Sequence, residues 1–338
     1  MNMTGIPAPT WSSVPTSWTA TPIPGVLMAL ATIGYAVLVV RLRRSGGHWS
    51  IWRTLCWVAA MVVLVLALNS ALARYSMVLF WVHMIVHLLM IMVAPAFLVA
   101  AQPIRLLRDG GGARMRSAVD RVVGSKVWRY LTSPALTVPL YTAVIVTTHL
   151  TGFQQAMLQN MWLHDLELVL YLVSGYLLFL PLIGDELIGR TLAYPLRIGV
   201  LGLTMGPDTL VGVTLMMTDK VLAPAFAEGR MMGWGPSPLS DQSAAGAIMW
   251  FAGDGLMMVL MVVVGFQMIR SGNGMHSLGP WLDGIRRQAT LGDTAVGDAA
   301  GGDADMDIDD EQSALDAYNA RLAAMHGLPP KPRDAERD

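Results

Sequence analysis

Runs of about twenty mostly apolar residues follow one another along the first 270 positions, and that feature limits the fold more than any other. A helix needs about 20 such residues to cross a hydrocarbon layer, and inside that layer the backbone must satisfy its own hydrogen bonds. The windows lie near 22–40, 53–73, 77–101, 133–151, 162–184, 195–218 and 244–269. They predict an all-α membrane protein with seven transmembrane helices. Only 14% of the residues are charged, against roughly 25% in soluble domains, which excludes an ordinary water-soluble enzyme.

Basic residues orient the predicted bundle, because cytoplasmic loops retain Lys and Arg. Arg41, Arg43, Arg44, Arg53, the seven from Arg105 to Arg129, Arg190, Arg197 and the seven from Arg270 onward fall on one side, making 20. The other side holds Arg74, Lys220 and Arg230. The expected topology has an extracytoplasmic N-terminus and a cytoplasmic C-terminus. No Lys or Arg precedes the first window, so it reads as a retained helix and not as a cleaved signal.

Three regions follow: an extracytoplasmic segment (1–21), the transmembrane domain (22–270) and a cytoplasmic tail (271–338). Thirteen of the 24 acidic residues lie at or after Asp283. Residues 291–312 are rich in Gly, Ala and Asp and read as a disordered linker. Leu315, Tyr318, Leu322 and Met325 then recur at helical spacing, predicting a short amphipathic helix over about 313–326.

Polar residues inside apolar windows locate a candidate site. His83 and His87 are four apart, hence on one helix face, at the spacing that lets two imidazoles share a metal ion. With the predicted orientation, His149 and His164 fall in the same outer leaflet. Asp165 and Glu167 follow His164 directly, and Glu167, one turn along, is expected to orient the His164 ring. Asp208 and Asp254 sit within the sixth and seventh windows, where an unpaired charge costs at least about 2.5 kcal/mol. The same groups have a purely architectural reading, in which they hydrogen-bond one another and fix helix packing.

The ligand chemistry narrows further by elimination. Cys56 is the single cysteine, so no Cys-x-x-Cys site exists, whereas Met is abundant at 24 residues. Imidazole with thioether suits Cu(I), and Met249 is the thioether candidate near the outer side. The seventh window contains no Lys for a retinal Schiff base, and Walker, His-Glu-x-x-His and Gly-x-Ser-x-Gly motifs are absent.

The run His83-Met84-Ile85-Val86-His87-Leu88-Leu89-Met90, continuing through Val93-Ala94-Pro95 to Gln102-Pro103, resembles a signature of the CtaG family. That family comprises seven-helix bacterial cytochrome c oxidase assembly factors. Leu163-His164-Asp165-Leu166-Glu167, and Asp241-Gln242 through Gly246, Ile248, Met249 and Trp250, are similar to family patterns as well. The resemblance covers about residues 25–270. It departs at Leu168, where the family commonly carries the second His of His-x-x-Glu-His, which shifts any coordination onto Met or another His.

The resemblance implies a multi-pass protein of the bacterial plasma membrane that helps mature a haem-copper oxidase, plausibly by handling copper, without enzymatic turnover. The implied partners are the oxidase subunits, an extracytoplasmic copper chaperone and the bilayer, with no nucleic acid. The expected copper ligands are His83, His87, His149, His164 and Met249, with Asp165, Glu167, Asp208 and Asp254 supporting them. Two other classes stay open on the residues alone: an intramembrane zinc hydrolase and a b-haem redox protein with axial histidines from two helices.

Overall fold

A computed structural model describes residues 5–19, 21–183, 187, 192–230 and 233–270. Among them the apolar windows are helical, and the sole β feature is an isolated bridge between Ile6 and Arg230. In chain order the helices are α1 (Pro22–Arg44), α2 (Ile51–Asn69), α3 (Ala71–Tyr75), α4 (Phe80–Leu88), α5 (Ala94–Ala101), α6 (Pro103–Gly110), α7 (Ala113–Val123), α8 (Lys126–Leu131), α9 (Pro134–Leu150), α10 (Phe153–Gln159), α11 (Met161–Ile183), α12 (Tyr194–Met217), α13 (Ala225–Glu228) and α14 (Pro238–Arg270). A π-helical turn, Leu89–Val93, joins α4 to α5.

Among the described residues six stretches are long and apolar enough to cross a membrane: α1, α2 with α3, α4 through α6, α11, α12 and α14. The pair α9 and α10, bent by 74°, makes a seventh if counted as one span. The fourth expected window is thus the one that departs from a plain span, since α9 has 17 residues and the chain turns at Thr151 and Gly152. The last helix begins at Pro238, earlier than its apolar window, because its first turns carry Ser240, Asp241 and Gln242. The linker and amphipathic helix expected in the tail lie outside the described residues.

The main core gathers side chains from α4, the π turn, α5, α9, α11, α12 and α14. A second cluster joins α1 and α2 to Ala101 and Leu106, with Tyr35 stacked on Trp57 at 4.4 Å between ring centroids. Ile23, Val26, Leu30 and Ile33 on α1 stay exposed, as an apolar helix facing lipid would leave them. Pro139, Pro181 and Pro207 are accommodated inside α9, α11 and α12.

The π turn precedes Pro95, which has no N–H to give to the Ile91 carbonyl four residues back. At this irregular point α11 comes in closely, and Gly175 permits it. A β-carbon there would run into the Ile91 carbonyl. The contact sets how α4 and α11, the two helices that bear most of the site, face each other.

Replacing Gly175 by Ala should therefore lower the thermal midpoint in mild detergent, because overpacking against backbone costs about 1–3 kcal/mol. Gly199→Ala, where nothing lies within 4 Å, is the control and should leave the midpoint level or raise it. An unchanged midpoint for Gly175→Ala would contradict the close approach.

Candidate metal centre

α4 carries His83 and His87 on one face, and its first turn is anchored from a distant helix. The N–H groups of Phe80 and Trp81 donate to the Asp241 carboxylate at 3.2 and 3.0 Å, so α14 supplies the cap that α4 lacks locally. Arg230 lies 3.8 Å from the same carboxylate. Gln242 ties down the loop after α12: its Oε1 accepts from the Leu222 N–H at 2.8 Å and its Nε2 donates to the Lys220 carbonyl at 3.0 Å. That loop leads to α13, where Phe226 stacks on Phe80 at 4.7 Å and meets the His83 ring at 5.2 Å, centroid to centroid.

α11 brings the opposing groups. His164, Glu167 and Tyr171 recur at i, i+3 and i+7, which puts them on one stripe. The Glu167 oxygens lie 3.7 Å from His83 Nε2 and 3.5 Å from His87 Nε2, with all three side chains fully enclosed. Gln154, on α10 just past the bend, donates to Glu167 Oε1 at 3.2 Å. His149, in the last turn of α9, meets His87 Nδ1 through its Nε2 at 3.2 Å. Its Nδ1 lies 3.0 Å from both the Ile145 carbonyl and Thr148 Oγ1, and 3.2 Å from the Tyr171 hydroxyl.

Three ligand atoms, one each from His83, His87 and Glu167, lie within 4.8 Å of one another. The 3.5 and 3.7 Å separations are longer than a good hydrogen bond. They approach the edge of about 3.4 Å that a tetrahedron with metal–ligand bonds of about 2.1 Å would have. Buried polar groups are ordinarily satisfied. Here both His83 nitrogens, His87 Nε2 and Glu167 Oε2 are buried without a hydrogen-bond partner. The residues present thus fit a divalent or monovalent metal ion bound by two imidazoles and a carboxylate. A porphyrin fits poorly, because the His87 ring is closed in by Tyr171 at 4.2 Å and His149 at 5.1 Å between centroids, and Phe226 covers His83.

The other expected residues fall in different places. His164 stands beside this group, its ring centroid 6.2 Å from that of His83, and its nitrogens make no hydrogen bond to Glu167, which faces α4 instead. Asp165 points outward, 79% exposed. Asp208 accepts the Tyr141 hydroxyl at 3.1 and 3.3 Å, and Asp254 accepts the Thr209 hydroxyl at 2.8 Å, forming a separate polar set on α9, α12 and α14. Met249 is buried in the main apolar core. Gln154, Tyr171, Thr148 and Phe226 were not singled out from sequence. Tyr171 alone carried a signal, the polar stripe it continues from His164 and Glu167.

A family model described as cytochrome c oxidase caa3 assembly factor matches residues 33–271, which contain every group of this site. The chain belongs to that family. The chain is also 29% identical over 324 residues to an uncharacterised protein of Mycobacterium bovis, and equally to one of Mycobacterium tuberculosis. Each alignment covers 94% of the chain and 46% of the relative. A third, from Mycobacterium leprae, is 28% identical over 256 residues, 74% of this chain and 38% of that protein. The chain thus spans less than half the length of these relatives. No solved structure matches it.

Asp241→Ala should destabilise the fold by about 1–3 kcal/mol, since it strands the buried Phe80 N–H and the part-buried Trp81 N–H and removes the carboxylate that faces Arg230. Asp241→Asn, which keeps one acceptor oxygen, should lose less. Thermal unfolding of the two variants checks this, and equal losses would show that the carboxylate is not acting as the cap.

Proposed function

We propose that this protein serves oxidase maturation by holding a copper ion, as Cu(I), at His83, His87 and Glu167, with His149 buttressing His87. It would work in the bacterial plasma membrane beside the oxidase subunits, receive copper from an extracytoplasmic chaperone, and perform no catalytic turnover. The observation that carries the reading is the convergence of His83 Nε2, His87 Nε2 and Glu167 Oε2 in an enclosed spot with no hydrogen-bond partner. The sequence pattern supports the orientation. The site lies near the start of α4, the end of α9 and the start of α11, an end of the bundle poor in basic residues, which the positive-inside rule assigns to the outer side.

The donor set favours a second reading. Two imidazoles and one carboxylate are the ligands of the thermolysin type of catalytic zinc site, and a carboxylate is a harder ligand than Cu(I) prefers. An intramembrane zinc hydrolase would need a further base close to an open coordination position. The adjacent spare carboxylate, Asp165, faces outward 3.9 Å from His164. The assembly-factor family therefore tips the balance to copper.

Metal analysis of protein purified in mild detergent under reducing conditions tests both readings. Stoichiometric copper is expected in the wild type and its loss in a His83→Ala, His87→Ala double variant that still inserts. Deleting the gene should lower cytochrome c oxidase activity while sparing other respiratory complexes. Stoichiometric zinc with hydrolase activity would favour the second reading. A double variant that keeps its copper and still supports the oxidase would end the metal-site account.

A further inference from the structure

We propose that His164, with the carboxylate of Asp165, is a loading station at which the incoming copper ion is first bound before it passes to His83. The inference rests on the metal reading of His83, His87 and Glu167 and adds a separate, kinetic role that the reading does not require.

Those three side chains are fully enclosed, so a hydrated cation cannot reach them by diffusion from outside. The direct way to His83 is closed by Phe226, itself buried and stacked on Phe80. Of the four clustered imidazoles, His164 is the one with appreciable outward surface, at 14% of its side chain. Asp165 Oδ1 lies 3.9 Å from His164 Nδ1, and that carboxylate is 79% exposed. The exposed anion, beside the least enclosed imidazole of the cluster, attracts a cation and offers it a first oxygen ligand.

The inner side of His164 completes the path. Both of its nitrogens are covered and lack a hydrogen-bond partner, so no competing bond holds either one. Its ring centroid is 6.2 Å from that of His83. That is the spacing of two imidazoles on opposite sides of one ion, given metal–nitrogen bonds of about 2.0–2.1 Å. His164 nevertheless stands outside the compact group of three ligand atoms. It is thus placed to bind the ion in passing and not to keep it. The transfer is a ligand exchange: the bond to His164 breaks as bonds to His83, His87 and Glu167 form, and the ion keeps its oxidation state.

The test is uptake of Cu(I), presented as its complex with excess bicinchoninate, by the full chain in detergent, followed by stopped-flow loss of the complex's colour. His164→Ala should slow uptake by at least about tenfold, the scale on which neighbouring groups tune metal sites, and leave the equilibrium affinity unchanged. Asp165→Asn, an exposed change with little leverage on folding, should slow it by a smaller factor. Uptake as fast as wild type in both variants would overturn the loading role. So would an affinity loss in His164→Ala equal to that of His83→Ala, which would make His164 a resident ligand. A wild type that takes up no Cu(I) at all would overturn this inference and the underlying metal reading together.

Discussion

Glu167 is a carboxyl group buried in an apolar helix bundle, and the surroundings of the site are arranged around it. An ionised carboxylate in such a place costs several kcal/mol unless it is paired. Gln154 gives one hydrogen bond to Oε1, at 3.2 Å. What faces the carboxylate is a pair of imidazole nitrogens at 3.5 and 3.7 Å. A bound cation would supply the missing compensation and occupy the orphaned nitrogens at the same time.

The comparison with the second polar set sharpens this. Asp208 and Asp254 also lie in apolar helices, yet each accepts a hydroxyl, from Tyr141 and from Thr209. These pairs tie α9 to α12 and α12 to α14, as interhelical hydrogen bonds in membranes commonly do. Among the described residues the enclosed carboxyl groups differ in what they face: Asp208 meets the Tyr141 hydroxyl, Asp241 meets two backbone N–H groups, and Glu167 meets imidazoles that themselves want a partner. Packing alone accounts for Asp208 and Asp241. Asp254 keeps one oxygen unpaired beside its hydroxyl bond, whereas at Glu167 unpaired atoms lie on both sides of the contact.

Much of the fold was legible in sequence, because membrane spans are set by a property that sums along the chain. The boundaries near 22, 162 and 195 lie within a residue of helix starts at Pro22, Met161 and Tyr194. The pairing of His83 with His87 was legible too, since a spacing of four fixes a shared face whatever the helix packs against. The partner of Glu167 was not. Spacing places it one turn from His164, but which neighbouring helix that stripe meets depends on the approach of α11 to α4 and α5, governed by Gly175 against the Ile91 carbonyl. Depth likewise carries no radial information, so Met249, Asp208 and Asp254 could be assigned a level in the bundle and not a direction. Phe226 and Gln154 sit on short helices around the membrane windows, where no periodicity marks them.

The central claim is that two imidazoles and a carboxylate, without a thioether, hold the ion. X-ray absorption at the copper edge of the loaded protein addresses that claim directly, because it reads ligand type and distance together. The account predicts nitrogen and oxygen scatterers at about 2.0–2.1 Å, with the outer-shell pattern of imidazole rings and no sulfur shell. A sulfur shell near the metal, or a spectrum without imidazole scattering, would contradict it.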